Sequence, residues 1–360
     1  MQALVTVASA MLLLAWVAAM VWLLRRVLKA STAPEAAGAA GADAAVRAAW
    51  CHEVGRSAAV FWVGLAALLA LGVAGLLVQD FHRLLFLAPA GAAAASMLVA
   101  AVVPPARTQQ SGPAQADLRQ RGVLSGTARG GVLLAGCLAA GLAVLAVATG
   151  LLSVVDDTTG TWQALPLTRV YPADVTFDDD GMVASAMGVS NASYLIPFPG
   201  WNYGVPLLGL LVLSIVLVVI ALRRNADRRR WQGEGAEALD SAARELVARV
   251  TSLTLGGLLA ISAAALLGRI GNSAWGLSGA ADPMRFPEMG TDIPQALPGL
   301  EPSALMGPAV FLLALAVIVA LVAVSCLLLA GAAWVRSRAA VRSAAQGDGL
   351  VPVVTGEVVA

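Results

Sequence analysis

The chain holds two histidines and three cysteines, so sites that need a positioned imidazole or thiolate can be tried one by one. His52-Glu53 opens an H-E-x-x-H zinc motif, but Arg56 stands where the second ligand must be. A single imidazole without its i+4 partner cannot hold the metal. Cys51 does not replace that ligand, because neighbours on a helix point about 100° apart. Gly276-Leu277-Ser278-Gly279 fits the G-x-S-G pattern of intramembrane serine proteolysis. That serine requires a base, and both His52 and His82 lie outside the apolar stretches. Asp178, Asp180 and Gly181 match the middle of a calcium loop, yet Thr176 and Met187 occupy its first and last ligand positions. Two essential carboxylates are therefore missing.

Glu35-Ala36-Ala37 followed by Gly41 matches the start of the coupling loop of ABC importer permeases, but its downstream I-x-L-P part is absent around Cys51 to Val54. Lys29 is the sole lysine and no G-K-[ST] follows a glycine-rich loop, so nucleotide hydrolysis by a P-loop is excluded. The sequence thus assigns no catalytic, cofactor-binding or metal-ligating residue, and the chain is expected not to be an enzyme.

The elements that would position any site are membrane helices. Of 360 residues 59% are hydrophobic and 12% charged, about half the charged share of a soluble domain. Seven charge-free stretches, 4–24, 58–78, 84–103, 131–155, 203–222, 250–268 and 310–334, are each near the ~20 residues that cross a bilayer. The fold class expected is an all-α polytopic membrane protein with seven transmembrane helices. Thr251, Ser252, Thr254 and Ser262 make the sixth span the weakest. No Asp, Glu, Lys, Arg or His falls inside any span, which disfavours an autonomous ion-driven pump.

Basic residues resist translocation, so their distribution sets orientation. With the N-terminus outside, 19 of the 23 fall in cytoplasmic segments and only Arg83, Arg169, Arg269 and Arg285 fall outside. Acidic residues divide evenly, 11 to each side. The first span lacks a basic n-region and is followed by Arg25, Arg26 and Lys29, which reads as an uncleaved anchor rather than a signal peptide. The chain is thereby placed in the plasma (inner) membrane, N-terminus extracytoplasmic and C-terminus cytoplasmic. Cys51, Cys137 and Cys326 all avoid the outer side, so no structural disulfide is expected. Arginine in place of lysine, with abundant Ala and Gly, reads as codon bias of a GC-rich bacterial genome. The net charge of +1 gives no field for nucleic acid.

The organisation follows from these spans: an anchor at 1–30, then 31–130 with an interfacial segment, a short-looped hairpin and a basic loop. A hairpin at 131–222 carries an outer loop at 156–202, a basic cytoplasmic loop fills 223–249, and a hairpin at 250–335 carries a Pro-rich loop at 269–306 before the tail at 336–360. All three tyrosines fall in or beside the 156–202 loop, with Trp162 and Trp201. Disordered segments lack such aromatics, so a small folded cap is expected. Val175-Thr176-Phe177, an Asp-Gly turn at 178–181 and Met182-Val183 read as a β-hairpin. Six prolines from Pro283 to Pro308 point to an irregular, extended second loop.

Val46, Trp50 and Val54, and again Leu239, Leu246 and Val250, each share a helical face. Both segments read either as interfacial helices or, more simply, as extensions of the spans that follow. Gly256, Ala260, Ala264 and Gly268 recur every four residues, a candidate helix-packing face. Trp162, Tyr171, Tyr194, Trp201 and Tyr203 form a candidate partner surface, since Trp and Tyr dominate binding hot spots. For Trp201 and Tyr203 the plainer role is to anchor the fifth span in the headgroup belt.

These readings favour a non-catalytic, permease-like or accessory subunit that acts with partner proteins in the lipid bilayer, without cofactor or nucleic acid. The alternatives are a membrane sensor with an outer ligand-binding loop and an enzyme acting on lipid-linked substrates.

Overall fold

The computed structural model describes Trp22 and residues 43–77, 81–106, 129–156, 160–172, 175–177, 183–186, 189–232, 236–279 and 302–347. Within them lie six helices long and apolar enough to cross a membrane. These are α1 (Ala44–Leu77), α2 (Phe81–Val102), α3 (Arg129–Leu152), α4 (Trp201–Asp227), α5 (Ala236–Gly279) and α6 (Pro302–Gly347). The chain is membrane-embedded by the length and composition of these helices. The expected first span lies outside the described residues, apart from helical, exposed Trp22.

Several helices run past their apolar stretches. Helix α1 begins at Ala44 and α5 at Ala236, so the segments around Trp50 and Leu246 extend the spans that follow them. Their apolar faces are spent on protein: Val46, Trp50, Val54, Leu239, Leu246 and Val250 are all buried. Helix α4 continues to Asp227, which shrinks the loop expected over 223–249 to the few residues before Ala236. At the other ends α5 continues to Gly279, α6 starts at Pro302, and its last turns reach Gly347. The loop expected to start at Arg269 is thus helical for its first turns, because Gly268 to Gly279 contains no proline to stop it. Residues 280–301, with most of the prolines, lie outside the described residues.

Two compact units emerge from the packing, each built from pieces of several helices. The first comprises Met1–Ala139, Leu210–Ala260 and Val322–Ala360. In it α1 packs along α2, and Ser96 Oγ donates to the Val60 carbonyl at 2.7 Å. Helix α5 explains why the sixth span is weakly apolar. Of its most apolar stretch 83% is buried, against 22–61% for the other five helices. Thr251, Ser252, Thr254 and Ser262 are all buried, so the hydroxyls that lower its hydropathy meet protein rather than lipid. A Cβ on Gly257 would stand 2.8 Å from Leu327 Cγ and 3.2 Å from the Ala323 carbonyl, so only glycine allows this approach of α6.

The second unit comprises Ala140–Gly209 and Ile261–Leu321. Between α3 and α4 the chain forms β1 (Val154–Asp156), β2 (Thr161–Pro172), β3 (Val175–Phe177), β4 (Val183–Ala186) and β5 (Val189–Pro197). Strands β1, β2 and β5 make one antiparallel sheet in that order, and β3 and β4 pair separately. Register sets Val155 opposite Trp162, Leu167 opposite Tyr194 and Tyr171 opposite Ser190. Thr176 lies opposite Ser185 in the β3–β4 pair, whose connecting residues, including the anticipated Asp-Gly turn, lie outside the described ones.

Candidate functional site

The densest chemistry in the described residues is a buried ion cluster in the first unit. It starts from Glu53 on α1, which is 0% exposed. Position 53 belongs to the same helical stripe as Val46 and Trp50, being seven and three residues beyond them. The fold therefore carries the carboxylate inward with the apolar side chains. A lone buried carboxylate would be prohibitively costly, and three donors reach it. Arg228 Nη1 donates to Oε1 at 2.9 Å and Arg56 Nη1 reaches Oε2 at 3.4 Å. The Ala106 backbone N–H donates to Oε1 at 2.6 Å. Pro104 and Pro105 have no N–H to give, so Ala106 supplies the first donor after that pair.

Asp240, on the first turns of α5, is the second buried carboxylate. Its Oδ1 accepts from Arg228 Nη2 at 2.9 Å and its Oδ2 from Arg244 Nε at 2.9 Å, the latter an i,i+4 pair. Arg228 is thus the hinge of the cluster, joining Glu53 to Asp240, and its guanidinium lies 4.6 Å from the Trp231 ring centroid. Burial pulls Arg228 below the ordinary arginine value, while the carboxylates of Asp240 and Glu53 act in the opposite sense.

The same guanidiniums close helix ends. The last carbonyls of a helix have no partner within it, and here arginines supply one. Arg56 Nη2 donates to the Ala100 carbonyl at 2.7 Å, and Arg224 donates to that of Ala101, both near the C-terminus of α2. Arg244 Nη1 reaches the carbonyls of Asn225 and Ala226 at 3.2 and 2.8 Å, and its Nη2 reaches that of Arg228 at 2.8 Å. Asn225 Nδ2 returns a bond to the Arg244 carbonyl at 3.1 Å. Positive charge at a helix C-terminus also complements the macrodipole. The result is a lock across α1, α2, α4 and α5.

No protein-family model matches this chain, and no curated protein or solved structure proves similar to it.

The residues singled out by sequence separate into different surroundings. Trp162 on β2 is 48% exposed, whereas Trp201 is half-buried and its indole lies against Gly150. Tyr203 is half-buried at the start of α4. Tyr171 and Tyr194 are placed by backbone register only, on β2 and β5. On α5, Gly256 faces α3, where a Cβ would lie 3.6 Å from Leu138, and Ala260 is fully buried. Ala264 is half-buried, and Gly268 faces Ala316 of α6 in the second unit. Gly256 and Gly268, at the two ends of the run, therefore meet different helices. Cys51 is exposed, Cys137 half-buried and Cys326 buried. Among the described residues no group of three or more His, Cys, Asp or Glu side chains could hold a metal ion.

No local motif marks the lock, because its members are distant in sequence. By local pattern Glu53 is the remnant of a zinc motif and Arg228 one more cytoplasmic charge. A usable signal was present: Glu53 and Asp240 are acidic positions inside otherwise apolar helical stripes.

Proposed function

We propose that this chain is a non-catalytic, permease-like or accessory membrane subunit that works through partner proteins. In this reading it crosses the plasma (inner) membrane seven times, N-terminus outside and C-terminus in the cytoplasm. The observation that carries the proposal is how the buried ionisable groups of the first unit are used. Glu53, Asp240, Arg56, Arg228 and Arg244 are consumed by one another and by helix ends. An acid–base or nucleophilic site needs a group free to exchange a proton with its substrate. These side chains instead tie four helices together, the role of a scaffold that presents a surface.

The distribution of basic residues assigns the 156–202 segment to the outer side, where Trp162 on β2 offers an exposed aromatic for a partner. Affinity purification from gently solubilised membranes tests the reading, and a second protein in stoichiometric amount is the expected result. Turnover of a substrate by the purified chain alone in lipid vesicles would overturn it.

A further inference from the structure

A second group of the first unit lies where apolar helix gives way to arginine. On α1, Trp62 lies six residues after Arg56, the last charge before the apolar run, and on α6 Trp334 immediately precedes Val335, the last before Arg336. The two indoles meet edge to face, with centroids 6.0 Å apart and planes at 88°. Phe61 packs beneath, 5.4 Å from Trp62. Phe61 is buried, whereas Trp62 remains 52% exposed. The Arg338 guanidinium lies 5.6 Å from the Trp334 ring centroid. Two helices thus bring their tryptophans to one level beside a cation, the composition of a membrane–water interface.

We propose that Trp62, Trp334 and Arg338 bind the headgroup of an anionic phospholipid. A guanidinium held against an indole keeps its planar fork of donors for a phosphate, which it can engage in bidentate fashion. From Arg336 to Gly347 the helix carries Arg336, Arg338 and Arg342 and no acidic residue, so the local field favours an anion. Among the described residues no carboxylate forms a salt bridge with Arg338.

What selects a lipid over free phosphate is the surface beside the cation. Val324, Leu328 and Val335 of α6 are all exposed, and their spacing puts them on the helical face that also carries position 338. From Leu328 to Arg338 the helix rises about 15 Å, roughly the hydrocarbon depth of one leaflet. An acyl chain can follow this stripe while its phosphate meets Arg338. The inference is independent of whether the chain has a protein partner.

The test is titration of phosphatidylglycerol into the protein in mild detergent, read as a rise in melting temperature. The wild type should be stabilised by phosphatidylglycerol well beyond phosphatidylcholine. R338Q should need about five-fold more lipid for the same rise, the scale of one arginine at an anionic surface. R338K, which keeps the charge but not the planar fork, should fall between them. R223Q, which removes an exposed arginine on α4, should titrate as wild type. Wild-type behaviour of both Arg338 variants would overturn the proposal. An equal loss in R223Q, or the same stabilisation by inorganic phosphate, would overturn it as well.

Discussion

Removing Glu53 tests the lock at its centre. In E53A three donors lose an acceptor: Arg228 Nη1 at 2.9 Å, Ala106 N at 2.6 Å and Arg56 Nη1 at 3.4 Å. Breaking a buried ion pair from one side costs roughly 3–5 kcal/mol, because the surviving charge is stranded. Here the stranding is partial. Arg228 retains Asp240 at 2.9 Å and Arg56 retains the Ala100 carbonyl at 2.7 Å. The lower end, about 3 kcal/mol, is therefore expected. At roughly 2–4 °C per kcal/mol, E53A should melt about 6–12 °C below wild type in mild detergent. E53Q, with its amide oxygen at the Oε1 position, keeps a neutral acceptor for Arg228 and Ala106 and should lose less. A double-mutant cycle with R228Q separates this account from a general packing defect. Glu53 and Arg228 should couple by about 0.5–3 kcal/mol. A melting temperature of E53A within about 2 °C of wild type, or strict additivity of E53Q and R228Q, would refute the reasoning.

At Gly257 added volume should be punished, since a Cβ there would stand 2.8 Å from Leu327 Cγ. G257V should cost about 1–3 kcal/mol by overpacking, and an unchanged melting temperature would show that α6 is not held at this distance. For the seven-span orientation, a reporter active only in the cytoplasm should work when fused after Arg342 and stay silent after Pro172. Activity reversed at either position would rule that orientation out.

The class of the protein was legible from composition alone, because a bilayer imposes a length and an apolarity that no tertiary contact is needed to reveal. The stretches 58–78, 84–103, 131–155, 203–222, 250–268 and 310–334 each lie within or overlap one described helix. Their ends were less legible. Hydropathy stops at the first charge, while a backbone helix continues until proline, glycine or lost packing ends it, as α5 does in running on to Gly279. The tertiary structure alone decided which helix is the most buried. Hydroxyls at Thr251, Ser252, Thr254 and Ser262 look like weak membrane insertion when counted in a window, and become intelligible once α5 is enclosed by its neighbours. It also decided what the charges near the spans do. Glu53 and Arg228 are 175 residues apart, and no local pattern states that one will bond the other. Sequence placed each just beyond the end of a charge-free stretch, and helix packing turned those separate ends into one buried network.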